Sequence, residues 1–317
     1  ECINREGRVV SCMEWAGILQ LEVLDPQSNL VVRRAVFDAG ERDLAWWSDH
    51  SWDCVTVHTL HGRVLCFDAV SLAPCRAFQL SLPTGHALTG LVRATRDTTW
   101  VCTSELGGQS TLWHALAWDT LQAIRGATLQ DCELTAIPGL SPPGLLHVDR
   151  ENRFAFVQAR GGAHPCNAPG SGLAAAMAAV APYDRTRAIV LGHVVEKERR
   201  LCAVYPCTPG DLSGRRTLRW LVDEVSAWKS CATDRLRGYA FAVVDGGPTG
   251  SMLSTIESTG PKSLKMSKFP ITNACFLATN SDATAAYLLA PVESGTHVFV
   301  EPNALQGSRM HIRMRGQ

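Results

Sequence analysis

The chain is expected to be all-β: a seven-bladed β-propeller whose blades are four-stranded antiparallel meanders. Three observations support that fold class. Short apolar stretches flank a turn at Asn4, Asp49, Asp97, the Pro142-Pro143 pair, Asp184, Asp234 and Asp282, at intervals of roughly 41 to 50 residues, close to the spacing of propeller blades. No window keeps apolar residues at a 3.6-residue spacing, so no long helix is indicated. The 317 residues also exceed what one ordinary compact core organises. A four-stranded sheet cannot bury its own two faces, and stacking sheets around an axis supplies the core.

The repeat divides the chain into units of about 1–40, 41–84, 85–130, 131–172, 173–223, 224–270 and 271–317, one propeller domain in all. In the first unit, the turn at Asn4-Arg5-Glu6-Gly7 leaves almost nothing before it for an inner strand. Either the first blade has three strands or residues upstream complete it; an open inner edge leaves backbone groups unpaired, so the second is expected, making this a piece of a longer polypeptide. The second unit reads as Asp43 to Ser48, a turn at Asp49-His50, Cys54 to Thr59, a turn at His61-Gly62, Arg63 to Phe67, then Cys75 to Leu80. Its strands are rich in β-branched and aromatic residues, and its turns carry Asp, Gly, Ser and Pro. The third unit repeats this with Leu91 to Thr95, Thr99 to Ser104, Leu112 to Trp118 and Gln122 to Leu129.

That third unit resembles a WD-repeat blade, with Gly85-His86 before its first strand and Trp118-Asp119 closing its third. In that family a His, a hydroxyl residue on the second strand, an Asp in the following turn and the Trp form a hydrogen-bonded brace. The resemblance carries these roles to His86, Thr103 or Ser104, and Trp118, with Glu105 nearest the acidic position. Elsewhere an apolar residue followed by an acid recurs at Leu24-Asp25, Phe67-Asp68, Ile256-Glu257 and Val300-Glu301. Each such acid enters the turn to the outer strand, where Asp readily bonds the backbone two residues on. The chain is therefore similar to WD40-like propellers with degenerate repeats.

The remaining units depart more. Unit four enters a Gly/Pro-rich stretch from Arg160 through His164, Cys166 and Asn167 to Gly172, expected to be a loop displacing the outer strand. Unit five carries a shorter loop, Cys207 to Gly214, around Asp211. Unit six has Asp245-Gly246-Gly247 in its middle turn, and Lys262, Lys265 and Lys268 on its outer strand, where charge deters edge-to-edge pairing. Unit seven has Glu293-Ser294-Gly295 in its middle turn and Arg309 to Met314 as its expected outer strand.

Reactive constellations are scarce. There is no Gly-x-Ser-x-Gly elbow, His-Glu-x-x-His helix, phosphate-cradling Gly-rich loop or Cys-x-x-Cys pair. His193 with Cys202 and Cys207 lacks a second ligand pair at zinc spacing. His58 and His61 flank a turn. No catalytic residue, cofactor or metal site is expected. Trp46, Trp47, Trp113 and Trp118 are read as packing between blades. Most of the twelve cysteines sit in apolar runs, and no asparagine opens an Asn-x-Ser/Thr acceptor. Reduced thiols in a reducing compartment, the cytoplasm foremost, are expected.

Thirty basic and thirty acidic side chains cancel, which argues against a nucleic-acid partner. The longest apolar run, Gly172 to Ala181, is too short to span a bilayer. The expected function is a noncatalytic scaffold binding protein partners or other domains of the same polypeptide. Arg160, His164, Cys166, Asn167, Asp211, Lys262, Lys265 and Lys268 are the candidate contacts. The alternative is a propeller enzyme or small-ligand binder using His86, Arg93, Asp131, Glu133, Glu224 and Lys229 in the central channel.

Overall fold

A computed structural model describes residues 2–15, 18–28, 30–38, 46–51, 54–151, 154–158, 166–167, 173–196, 199–207, 220–222, 227–245, 251–260, 263–271, 276–280, 282–284, 286–291 and 297–300. Every regular element among them is a β-strand, and every pairing is antiparallel between strands consecutive in the chain.

The first sheet contains β1 (Cys2–Ile3), β2 (Val9–Trp15), β3 (Ile18–Asp25) and β4 (Leu30–Asp38). The second has β5 (Trp46–Ser51), β6 (Cys54–Thr59), β7 (Arg63–Asp68) and β8 (Pro74–Gln79), and the third β9 (His86–Arg93), β10 (Thr98–Glu105), β11 (Thr111–Ala117) and β12 (Ala123–Gln130). The fourth holds β13 (Cys132–Ala136), β14 (Gly144–Asp149), β15 (Phe154–Gln158) and β16 (Cys166–Asn167), and the fifth β17 (Leu173–Ala181), β18 (Asp184–Glu196), β19 (Arg199–Cys207) and β20 (Trp220–Val222). The sixth comprises β21 (Ala227–Asp234), β22 (Tyr239–Asp245), β23 (Ser251–Gly260) and β24 (Ser263–Ile271). The seventh has three described strands, β25 (Phe276–Thr279), β26 (Ala286–Pro291) and β27 (His297–Val300).

The core lies between sheets, because alternation along each strand sends successive side chains to opposite faces. Leu19, Leu21 and Val23 of β3 pack on Val55, Val57 and Phe67 of the second sheet. Val64 and Cys66 meet Leu88, Val101 and Trp118 of the third, and Trp100 and Trp113 meet Leu134, Leu145 and Val157 of the fourth. Like clusters join the fourth to the fifth, the fifth to the sixth and the sixth to the seventh. Tyr287 of the seventh sheet packs on Ile3, Val9 and Leu24 of the first. Each fully buried Leu, Val or Phe contributes about 1.5–3 kcal/mol. Hydrogen bonds pin the same seams: Trp113 Nε1 donates to Cys132 O at 2.9 Å and Trp228 Nε1 to Gly192 O at 2.7 Å.

The strands correct three sequence expectations. Asp49 is not in a turn. It lies inside β5 opposite Thr56, and pairing continues to Ser51 opposite Cys54, because the polar residues there still have ladder partners on β6. In the first sheet Cys2 and Ile3 pair with Val10 and Val9, a two-residue inner strand in keeping with how little precedes the turn at Asn4. Cys166 and Asn167, expected in a loop, pair with Phe156 and Ala155, so the outer position of the fourth sheet is occupied. Two of the three residues between Pro165 and Pro169 suffice for that short ladder. His86 belongs to β9 rather than preceding it. The expected outer strand over Arg309 to Met314 and the middle turn at Glu293-Ser294-Gly295 lie outside the described residues.

Candidate interaction surface

Several of the turn aspartates act as local clamps. Asp184 Oδ1 accepts from the Thr186 amide and hydroxyl, both at 2.8 Å, and Oδ2 stands 3.3 Å from Arg187 Nε. The Thr186 amide chiefly holds the Asp184 carboxyl below its usual range, against some desolvation. Asp234, 1 % exposed, accepts from the Arg237 amide and Nη1, each at 3.1 Å. Asp68 Oδ1 accepts from Val70 N at 3.0 Å and from Ser71 N and Oγ at 2.7 and 2.8 Å. Burial raises the Asp68 carboxyl, but these bonds prevail and its pKa is lowered. Asp97 occupies the β9–β10 turn, where its carbonyl accepts from Trp118 N at 2.8 Å. Asp282 lies in the turn after β25, and Asp245 ends β22 opposite Ser251.

The brace implied by the WD resemblance does not assemble from the matched residues. His86 starts β9 opposite Glu105, with its Nδ1 3.2 Å from Thr84 O, whereas Trp118 follows β11 at the Asp97 end of the same sheet. Thr103 Oγ1 bonds Leu112 O and Ser104 Oγ bonds Thr89 Oγ1, both at 3.4 Å. Gly85 takes φ +77°, and its carbonyl accepts from Leu106 N at 2.8 Å. Trp118 instead serves the seam between the second and third sheets. Arg93 lies 4.3 Å and Arg76 5.3 Å from its ring centroid, and Arg76 also donates to the carbonyls of Trp118 and Asp119.

The other candidate contacts are scattered. Arg160, His164, Asp211 and Lys262 lie outside the described residues, as does Glu224. Lys265 and Lys268 stand in β24 at register positions opposite Glu257 and Ser254. Of the channel candidates, Arg93 is buried on Trp118, with Nη2 donating to Arg96 O at 2.9 Å. Asp131 is tied to Arg150 Nη2 at 2.6 Å, Ser110 Oγ at 3.0 Å and Thr111 N at 3.1 Å. His86 and Arg93 sit at opposite ends of β9. Among the described residues no group of three His, Cys, Asp or Glu stands close enough to hold a metal ion.

A coherent surface appears on the first sheet. Exposed large apolar side chains among the described residues are Met13, Leu30, Val31, Val32, Val36, Leu106 and Leu236. Five of these belong to the first sheet, four of them to β4, which ends the strand order there. Every second residue of such an edge strand directs its N–H and C=O away from the sheet. Met13, Gln20 and Val36 form one row across β2, β3 and β4. Beside it, Glu22 is nearly buried and accepts from Arg34 Nε at 2.7 Å. Arg33 donates from Nη1 to Val70 O of the second sheet. The outer strands β8 and β12 are blunted, β8 by Pro74 and β12 by a register shift and Gly126 at φ +74°. In β4 a single irregularity at Val32 leaves Arg33 to Phe37 in regular register.

Neither a protein-family model nor a curated protein sequence matches this chain. Solved structures do. A chain of the mitotic checkpoint complex superposes with a TM-score of 0.58 at 14 % identity, covering 90 % of this chain and 84 % of that one. The U3-55K structure gives 0.51 at 11 % identity, covering 92 % and 86 %. The Myceliophteria thermophila Cps50 (Swd1) β-propeller domain gives 0.51 at 10 % identity, covering 92 % and 96 %. The fold is a β-propeller.

Within this propeller, the exposed edge on β4 was missed by sequence reading, although Leu30-Val31-Val32-Arg33-Arg34-Ala35-Val36-Phe37 is an apolar run with two central arginines. An apolar outer strand and an apolar inner strand look alike in sequence. Only the strand order shows that β4 has no neighbour beyond it. Among the described residues of the propeller, no helix is long and apolar enough to cross a membrane.

Proposed function

We propose that the propeller is a noncatalytic protein–protein interaction module that works within a larger protein or complex and docks an extended partner segment along β4. The observation that carries this reading is the concentration of exposed Leu30, Val31, Val32 and Val36 on the edge strand β4, with exposed Met13 in the same row of the sheet as Val36. Added strands gain main-chain hydrogen bonds from the edge and specificity from alternate side chains. Arg34 is paired with Glu22, whereas Arg33 at the centre of β4 donates to a carbonyl, not to a carboxylate, and so favours a segment carrying an acidic residue. The same arginine opposes a second copy of this chain, because antiparallel self-pairing about the strand centre would bring cationic side chains together. One structural neighbour is part of the mitotic checkpoint complex, in keeping with a propeller serving a multichain assembly. Burial of Cys66, Cys102 and Cys132 as packing groups supports a reducing, cytoplasmic setting.

The test is a photo-crosslinking amino acid at Val36 of the full-length protein in its own cells, with Leu236 as an exposed control. The expected result is a discrete adduct at Val36, mapped by mass spectrometry to an acid-bearing segment of another protein, that Val32→Lys weakens. A Val36 adduct to the same chain, or adducts no different from those at Leu236, would overturn the reading.

A further inference from the structure

The turns joining first and second strands in the last four sheets meet one another. Ser141 N donates to Arg185 O at 2.8 Å, and Arg185 Nε donates back to Gly139 O at 3.2 Å, tying the fourth sheet to the fifth. Arg235 N donates to Ala283 O at 2.8 Å, tying the sixth to the seventh. A Cβ on Gly139 would fall 2.7 Å from Asp282 O, so the fourth and seventh sheets touch here as well. These contacts bring the turns of the four sheets together.

Two of the turns carry the same four-residue pattern, Asp184-Arg185-Thr186-Arg187 and Asp234-Arg235-Leu236-Arg237. In both, the arginine three positions on neutralises the aspartate, at 3.3 Å for Arg187 and 3.1 Å for Arg237. The second residue of each pattern is left for another task. Arg185 is anchored through Nε to a carbonyl, which leaves its terminal nitrogens outside that bond. Arg235 Nε is buried with no hydrogen-bond acceptor in reach. A buried guanidinium donor without an acceptor is costly, more so beside a like charge. Burial first, and then the positive charge of Arg185, pull the Arg235 guanidinium below its ordinary value, while Asp282 and Asp184 act in the opposite sense.

We infer that Arg185 and Arg235 together form a carboxylate-binding site at the meeting point of the four turns, taking an Asp or Glu side chain or a chain terminus of a partner. The geometry favours this class because guanidinium forks match carboxylate oxygens. The charge balance points the same way. Arg185, Arg187, Arg235 and Arg237 stand against Asp184, Asp234 and Asp282, leaving one net positive charge, which a monoanion neutralises and a phosphate dianion overshoots. The site is separate from β4, so its failure leaves the edge-docking reading standing, and the converse holds too.

The test follows the arginine Nε–Hε NMR signals of the protein during titration with N-acetylglutamate methylamide, N-acetylalanine, inorganic phosphate, and sodium chloride at matched ionic strength. Arg185→Lys and Arg235→Lys assign the signals. The expected result is a saturable shift at Arg235 with a carboxylate, with a dissociation constant of about 1–10 mM, and the tighter of the two carboxylates names the source as side chain or terminus. Arg185→Gln should weaken binding about ten-fold, while Arg187→Gln should change it by less than about two-fold. A shift no larger than chloride produces, tighter binding of phosphate, or equal losses in Arg185→Gln and Arg187→Gln would each overturn the inference.

Discussion

Arg93 stacks its guanidinium 4.3 Å from the centre of the Trp118 ring, burying a cation in the seam between the second and third sheets. The ring quadrupole and the Arg96 carbonyl take the place of the water that burial removes. A double-mutant cycle of Arg93→Met and Trp118→Leu should show a coupling of about 0.5–2 kcal/mol in urea unfolding. Additive effects would mean that the two side chains merely share a cavity.

Gly139 and Gly107 both have positive φ, at 77° and 82°, but in different surroundings. A methyl group on Gly139 meets the Asp282 carbonyl at 2.7 Å and Ala283 Cβ at 2.8 Å, whereas one on Gly107 meets nothing within 4 Å. Gly107→Ala should cost only the backbone preference, about 1 kcal/mol. Gly139→Ala adds a clash with the main chain and should cost about 2–4 kcal/mol. Equal losses in equilibrium unfolding would show that the turns can part without penalty.

His58 is 2 % exposed, and burial pushes its imidazole down to about 4, against a backbone hydrogen bond at Thr59 that favours the charged form. The unfolded chain takes up the proton near the ordinary value of 6.5, before the folded chain does. The stability contribution is therefore complete above that value and is lost as pH falls toward about 4, by up to about 3 kcal/mol. His147, lowered chiefly by burial, acts in the same direction. His58→Leu should remove its share of the loss between neutral pH and about 4.5. Identical pH slopes for variant and wild type would assign the effect elsewhere.

Asp234 closes its turn with two bonds from Arg237 while 1 % exposed. Asp234→Ala should destabilise the protein by about 1–3 kcal/mol. Arg237→Ala should cost at least as much, since it leaves a buried carboxylate with less compensation. Thermal unfolding of the two variants checks the order, and a neutral Arg237→Ala would show that the amide bond alone suffices.

Much of the fold was legible because strand composition and turn chemistry are local. Cys54 to Thr59 and Arg63 to Phe67 are strands in the sequence and in the structure, and Asp97, Asp184, Asp234 and Asp282 lie in or beside turns in both. Asp49 was misread because the polar run Ser48-Asp49-His50-Ser51 in a strand looks like a turn until its ladder partners are known. The WD resemblance identified the fold yet misplaced the work of Trp118, whose partners Arg76 and Arg93 come from β8 and β9.

The sequence by itself determined the all-β class, the beat of the repeat and the turn residues, since alternation and Asp, Gly and Pro chemistry act within a few residues. The tertiary structure decided which apolar strand ends a sheet and which turns meet. Those facts depend on strand order and on turns about 50 residues apart in sequence being brought together at one end of the fold. The edge position of β4 and the meeting of the turns that carry Arg185 and Arg235 depend on that arrangement, because no local pattern distinguishes an outer strand from an inner one.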